Sequence, residues 1–430
     1  MTAMGDLISR NFGIADGELL IGGLSISSIA AQFGTPLFVY DAEVMDRKLQ
    51  QLRATLPPRF EISYSVKANP NKAVLRYFLA RDCGLEIASA GEYQQALAAG
   101  CPAHRIIFAG PGKTESELEL VLTKGIGEIH VESAVEIERI IRISSRLGIR
   151  AKVALRINPT GEAQGGAMRM GGRAAPFGVD EEMSDAVIDR ILSSPALAFT
   201  GIHLFTGTQI LDHAILLNQY HKGIALARSI AERVHRPLET VDFGGGLGIP
   251  YFNNERELSL DDLRQGLLEL MDTIRPDPYL TGTRFMLEPG RFLVGEAGVF
   301  VARVNDVKIS RGKTFVVLDG GMNCHLAASG NLGQTIKRNY PIALLNRMQT
   351  PASATVDVVG PLCTPLDTLG RSVELPQPEI GDLIGVFQSG AYGLTASPVN
   401  FLSHPSPAEV LVGQGAAQLI RARGAYSDLS

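Results

Sequence analysis

The sequence predicts an α/β fold, a (β/α)8 barrel joined to a mainly β C-terminal domain that includes the chain's N-terminal strand. Three observations predict it. From about Glu61 to Arg291 one rhythm repeats, a short β-branched apolar run ending in small or polar residues, followed by a stretch with helical spacing of apolar positions. After Arg291 this gives way to strand-like runs punctuated by Gly, Pro and Asp. The length of 430 residues, with 45% hydrophobic content, supplies more than one core.

Eight runs fit the first pattern, at 62–66, 85–88, 106–109, 128–131, 152–157, 201–205, 240–243 and 285–287, and segments 73–81 and 116–124 between them read as helices. Eight strand–helix units predict a barrel of the TIM type. Later runs at 299–309, 313–318, 355–359, 383–388 and 409–412 read as strands of a β domain, and the early run 18–21 is expected to join them. The domains expected are therefore 36–290 for the barrel, and 1–35 with 291–430 for the β domain.

Composition excludes several function classes. A net charge of -5 with no dense Lys/Arg run gives none of the basic footprint that nucleic acid binding requires. No segment is long and apolar enough to span a bilayer, and residues 1–23, broken by Asp6, Arg10, Asp16 and Glu18, lack the apolar stretch of a signal peptide. Cys83, Cys101, Cys324 and Cys363 lie far apart, without the pairing of a disulfide framework or zinc knuckle. A cytoplasmic, small-molecule enzyme is expected. No metal site is indicated, because the eight histidines show no ligand pair at helical spacing.

Barrel enzymes carry their reactive groups on the loops that follow the strands. The first run leads to Lys67-Ala68-Asn69-Pro70, the sixth to Thr206-Gly207-Thr208-Gln209, the seventh to Gly244-Gly245-Gly246, and the eighth to Glu288-Pro289-Gly290-Arg291. A lysine after an apolar strand can reach into a closed pocket, where desolvation favours an amine able to form an imine. A surface lysine is the plainer alternative. Three glycines let the backbone approach an anion closely, although a tight turn explains them equally well. Glu288 and Arg291 can be a plain salt bridge, or a carboxylate for a ring nitrogen beside a cation for phosphate or carboxylate. His203, in an apolar strand, reads as a satisfied core residue with a supporting role. Cys363 reads as a buried small residue unless a site recruits it.

Taken together, Tyr64-Ser65-Val66-Lys67-Ala68-Asn69, Ala88-Ser89-Ala90-Gly91-Glu92, Gly244-Gly245-Gly246, Glu288-Pro289-Gly290-Arg291 and Ser389-Gly390-Ala391-Tyr392 resemble the fold-type III pyridoxal-5′-phosphate decarboxylases of ornithine and diaminopimelate. The likeness runs in the same order from about Pro36 to Val412. It implies a barrel plus a β domain, a homodimer with shared active sites, and pyridoxal phosphate as cofactor. It makes Lys67 the Schiff-base lysine and Glu288 the partner of the pyridine nitrogen. Gly244, Gly245, Gly246, Gly290, Arg291, Thr208 and Tyr392 then hold the cofactor, and Cys363 reaches across from the other subunit to protonate the product. Arg291, Thr364, Asp367 and Tyr392 are the substrate-binding candidates.

Several positions depart from the familiar members. Phe205 stands where they carry a histidine stacked on the cofactor ring, a place an aromatic ring can still fill. Thr364 follows Cys363 where they place an acidic residue for the distal amine of the substrate, and a neutral hydroxyl loses that charge pairing. The segment Asp319-Gly320-Gly321-Met322-Asn323-Cys324-His325 lacks the arginine that the diaminopimelate enzymes offer to a distal carboxylate. These departures, with Met168-Arg169-Met170-Gly171-Gly172 and Gly360-Pro361-Leu362-Cys363-Thr364-Pro365, resemble a narrower branch. That branch holds the glutamyl-carrier-protein decarboxylase of butirosin synthesis and the exosortase-associated decarboxylases. The expectation is decarboxylation of an α-amino acid whose side chain ends without a free ammonium, including an acyl group on a carrier protein. Diaminopimelate decarboxylation is the runner-up. An amino-acid racemase on the same barrel and a non-catalytic regulatory homologue are the alternatives of other classes.

Overall fold

The computed structural model describes residues 3–160, 168–169, 174–205, 207–332, 334 and 336–429. The chain divides into two compact units, Gln50–Gly248 with Glu257–Gly290, and Met1–Leu49 with Ile249–Arg256 and Arg291–Ser430.

All eight expected barrel runs are strands of the first unit: β1 (Phe60–Ser65), β2 (Gly84–Ile87), β3 (Ile106–Phe108), β4 (Glu128–Val131), β5 (Ala151–Asn158), β6 (Leu197–Leu204), β7 (Thr240–Asp242) and β8 (Arg284–Leu287). Each pairs in parallel with the next, and β8 returns to β1 with Phe285 opposite Phe60, closing the barrel. Helices on the outside and side chains within bury these strands on both faces, which is why they read as apolar runs without strict alternation.

Local signals agree with the fold. After β2, β3 and β4 the chain turns into the helices Ala90–Ala99, Glu115–Thr123 and Ala134–Leu147, each begun by a Ser or Thr with Glu three residues on. Ser89 accepts from Glu92 N, Thr114 and Glu117 form a reciprocal capping box, and Ser133 accepts from Glu136 N. Each cap stabilises its helix by about 1 kcal/mol. The caps also fix where each loop ends and its helix begins.

At Gly201 in β6 a Cβ would lie 1.8 Å from Thr240 O, on the strand directly paired with it. Only glycine allows β6 and β7 this approach. Gly201→Ala is expected to destabilise the protein by about 3 kcal/mol, seen as a lower urea midpoint with an unchanged slope.

The second unit is mainly β. Its large sheet runs in the order Thr368–Leu375, Ala354–Val359, Lys313–Leu318, Gly298–Ser310, Leu37–Asp41, Ala408–Gly413 and Ala416–Arg421, with Leu383–Val386 and Ile342–Leu344 attached through the long strand. That strand of 13 residues is long enough to pair with Leu37–Asp41 and Leu383–Val386 through its first half and with Lys313–Leu318 through its second, where the register shifts between Val304 and Asp306. Its first half is buried and its second half largely exposed. The early run 18–21 does not enter this sheet. It forms a separate meander with Gly13–Ala15 and Leu24–Ser25, turned at Asp16-Gly17 and Gly22-Gly23 with positive φ at all four residues. The N-terminal strand of the large sheet is instead Leu37–Asp41, fully buried between Gly298–Ser310 and Ala408–Gly413. Among the described residues no helix is long and apolar enough to cross a membrane.

Candidate active site

β1 ends at Ser65, and the chain makes one 3-10 turn, Val66–Ala68, that buries Val66 and Ala68 and leaves the Lys67 side chain 46% exposed. Lys67 Nζ lies 3.1 Å from Glu86 Oε2 and 3.3 Å from Oε1. Glu86, buried in β2, also accepts from Ser65 Oγ at 2.5 Å. Burial pushes the Glu86 carboxyl up, but the Lys67 charge and the Ser65 hydroxyl hold it below the usual range. Lys67 is thus half-exposed and paired with a buried carboxylate, nearer the surface-lysine alternative than a lysine shut in a closed pocket. Gly290 lets the loop after β8 pack against this turn, since a Cβ there would lie 2.7 Å from Ala68 Cβ.

Glu288 is buried, and its Oε1 has no hydrogen-bond partner among the described residues. Burial first, then the neighbouring Asp242 carboxyl, push Glu288 well above the ordinary carboxylate range. His203 is buried as expected but is not a satisfied core residue. Neither ring nitrogen has a hydrogen-bond partner among the described residues, Nε2 lies 3.6 Å from Glu288 Oε2, and the ring tilts against His130 at 4.4 Å between centroids. Burial, reinforced by nearby cations, drives its pKa well down, so His203 is neutral.

The loops after β6 and β7 are fastened together. Ile210 N donates to Gly246 O and Gly248 N to Ile210 O, both at 2.9 Å, while Gly244 N donates to Asp242 Oδ1 at 2.7 Å. A Cβ on Gly244 would lie 2.8 Å from the Phe205 ring, on Gly245 2.8 Å from Glu288 O, and on Gly246 3.3 Å from Gly207 O. Gly207–Thr208 pairs in turn with Met168–Arg169. The three glycines thus bring the sixth, seventh and eighth loops into one cradle, lined by Phe205, Thr208 and the approach to Glu288. Thr206 and the Met170, Gly171 and Gly172 of the quoted motif lie outside the described residues.

In the β unit, Arg291 Nη1 donates to Tyr251 Oη at 2.9 Å, and its guanidinium carbon lies 4.7 Å from the centre of the Tyr392 ring. Burial alone would lower the Arg291 pKa, but Tyr251, Tyr392 and Tyr340 raise it, and its Nε has no partner among the described residues. This is a buried guanidinium held by aromatic rings. Tyr392 has φ +54°, and Gly390 two residues before it would place a Cβ 1.7 Å from Val294 O. Cys363 is exposed, contrary to its reading as a buried residue. Thr364 Oγ1 accepts from Leu366 N at 3.3 Å. Asp367 accepts from Met322 N at 2.6 Å and Leu362 N at 2.8 Å, one on each oxygen, so its carboxylate is spent holding the loop.

Sequence reading missed Glu86, His130 and Asp242. The signal was an ionisable residue inside an apolar barrel strand, but only closure of the barrel shows that they converge. Side-chain nitrogen and oxygen atoms of His130, His203 and Glu288 lie within 4.8 Å of one another, a grouping drawn from separate strands that spacing along the chain cannot reveal. A hollow of about 840 Å³ opens at the other rim, lined by Phe60, Gly84, Arg105 and Lys152 among others. Three of its cations are paired, Arg105 with Asp82, Lys152 with Glu239 and Arg284 with Glu61, and it lies at the strand starts, away from the loops that carry chemistry in barrels.

The barrel fits pyridoxal phosphate. The unpartnered Glu288 Oε1 suits a ring N–H, the glycine cradle leaves room where side chains would intrude, and Lys67 offers the amine. Comparison with known proteins agrees. The pyridoxal-binding domain of pyridoxal-dependent decarboxylases matches residues 42–295. The chain is 38% identical over 407 residues to the L-glutamyl-[BtrI acyl-carrier protein] decarboxylase of Niallia circulans, covering 94% of this chain and 95% of the relative. It is 32% identical over 412 residues to the diaminopimelate decarboxylase of Aquifex aeolicus, covering 96% and 94%. The crystal structure of diaminopimelate decarboxylase from M. jannaschi matches with a TM-score of 0.90 at 28% identity, over 98% of this chain and 96% of that one. With cofactor chemistry, barrel and sequence in agreement, the chain belongs to the pyridoxal-dependent decarboxylases and removes the carboxyl group of an amino acid using pyridoxal phosphate.

Proposed function

We propose that the substrate is an α-amino acid whose side chain ends without a free ammonium, namely a glutamyl group carried on an acyl carrier protein. The observation that carries this is the loop 360–368. Its single carboxylate, Asp367, has both oxygens bonded to backbone N–H groups, and the residue after Cys363 is the neutral Thr364. A distal ammonium would find no free carboxylate on this loop, and burying it unpaired is costly. The relative acting on a carrier-linked glutamyl group supports the same choice.

The residue roles follow from this reading. Bound pyridoxal phosphate supplies the sink for the electron pair released when carbon dioxide leaves. Lys67 would hold the cofactor through Nζ, and Glu86, 3.1 Å away, would take up or return a proton there. Glu288 would face the ring nitrogen as a carboxylate and keep that nitrogen protonated, and His203 would support it as a neutral neighbour. Phe205, Thr208, Gly244, Gly245, Gly246 and Gly290 would hold the cofactor within the barrel, and Arg291 and Tyr392 are the candidates for its phosphate. Arg291, Tyr392 and Thr364 orient the substrate, and Asp367 contributes by shaping the loop. The chain acts as a homodimer in the cytoplasm, where exposed Cys363 serves the partner subunit by delivering a proton to Cα.

Carbon dioxide release from the cofactor-loaded protein tests the choice, across lysine, ornithine, glutamate, meso-diaminopimelate and a carrier-linked glutamyl substrate. The tethered substrate is expected to be favoured by about 100-fold or more in kcat/KM, the scale of one mismatched buried polar group. Comparable turnover of free diaminopimelate would overturn the proposal and make the runner-up the function.

A further inference from the structure

Five ionisable side chains converge inside the barrel, Glu128 and His130 on β4, His203 on β6, Asp242 on β7 and Glu288 after β8. His130 is their hub. Its Nε2 lies 3.0 Å from Glu128 Oε1 and 4.0 Å from Asp242 Oδ2, and its Nδ1 lies 3.9 Å from Glu288 Oε1. Glu128 also accepts from Thr240 Oγ1 at 3.0 Å. An ionised carboxylate only accepts, so Glu128 places the proton on His130 Nε2 and leaves Nδ1 to face Glu288.

We propose that His130 is a positioning residue which, oriented by Glu128, sets whether Glu288 carries a proton or a charge. The proposal rests on the reading that Glu288 faces the ring nitrogen of the cofactor. Three buried carboxyls this close cannot all ionise without a cation among them. Burial pushes Asp242 and Glu288 up, whereas Glu128 is held below its usual range, against burial, by its bond to His130. The other charged groups around the cluster already have counter-ions: Lys67 with Glu86, Arg156 with Glu132, and Lys113 with Glu136. A proton on Nδ1 lets Glu288 become a carboxylate. With Nδ1 bare, Glu288 keeps its proton and cannot serve as counter-ion to a protonated ring nitrogen.

The test uses the cofactor-loaded enzyme and two near-isosteric variants. His130→Gln removes the group that can carry the positive charge while keeping a donor to Glu128. Glu128→Gln removes the negative charge that favours a protonated imidazole, whichever way its amide is turned. Each is expected to move the midpoint of the pH titration of bound-cofactor absorbance by one pH unit or more. Each should also lower kcat by tenfold or more with KM changed less than threefold. The double variant should show no larger shift than either single one, since both changes remove the same charge. Unmoved midpoints in both variants, or shifts that add, would overturn the proposal. Glu288→Gln separates this failure from that of the underlying reading. If Glu288 does not face the ring nitrogen, its own substitution leaves the titration unchanged; if only the role of His130 is wrong, Glu288→Gln moves the midpoint and His130→Gln does not.

Discussion

Replacing Lys67 with Ala is expected to lower decarboxylation by about a thousandfold or more, the scale of removing a covalent catalytic group. The protein should still fold. The cradle of Gly244, Gly245 and Gly246 is built without Lys67, so the variant should bind pyridoxal phosphate reversibly and lose it on dialysis, whereas the parent retains it. Lys67→Arg separates the amine's chemistry from its charge. Arginine keeps a cation beside Glu86 but cannot add to a carbonyl, so it should be as inactive as alanine while unfolding nearer the parent's midpoint. The pH dependence has a definite sign. Burial opposes ionisation of Glu86, but Lys67 and Ser65 hold its pKa below the usual range in the folded chain. The stability this contributes is present above the unfolded carboxylate range and is lost as pH falls through the lower folded value. Lys67→Ala removes that contribution, so its stability deficit against the parent should be seen near neutral pH and shrink in acid. Equal activity of Lys67→Arg and the parent would deny Lys67 the covalent role.

The barrel was legible because its grammar is local. A strand buried on both faces must be an apolar run, a loop that ends in a helix needs a cap, and both signals recur eight and three times over in the order the fold uses them. The β unit was less legible. Thr368–Leu375 contains Gly370, Arg371, Ser372 and Glu374 and has mixed burial, so no run announces it. Residues 37–40 form an apolar run, but its neighbours are Gly298–Ser310 and Ala408–Gly413, far along the chain, and nothing local distinguishes it from the opening of a barrel. The site divides in the same way. Lys67, Glu288 and the glycines stand at strand ends, where a barrel is expected to do chemistry, and they were visible. Glu86, His130 and Asp242 lie within strands, where a polar residue reads as one more alternating position until closure sets β2, β4 and β7 around a common interior. His203 was judged by base rate as satisfied, and its two unpartnered nitrogens show what such a judgement cannot weigh.

Glu288→Gln should separate activity from stability. A neutral amide can hydrogen-bond to a ring nitrogen but cannot balance its positive charge, so kcat is expected to fall by about 100- to 1,000-fold, the scale of losing one electrostatic contact to the developing charge. Stability of the cofactor-free protein should move the other way. Burial and Asp242 raise the Glu288 pKa well above its unfolded value, so the folded state binds a proton that the unfolded state has already lost. Stability linked to this group is therefore complete below the unfolded carboxylate range and declines as pH rises until the folded value is passed. Glutamine never ionises and removes that decline. Cofactor-free Glu288→Gln should thus resist urea better than the parent near pH 8, with the advantage shrinking toward about pH 4, where both side chains are neutral. Adding pyridoxal phosphate should reverse the order, because a ring cation gives the parent's carboxylate the counter-charge it lacks and gives the amide nothing comparable. Urea midpoints at acidic, neutral and alkaline pH, with and without cofactor, measure both effects in one series. A variant that is less stable than the parent at every pH would mean that Glu288 is ionised and already matched in the free barrel, and that its proton is not what the cofactor meets on entry.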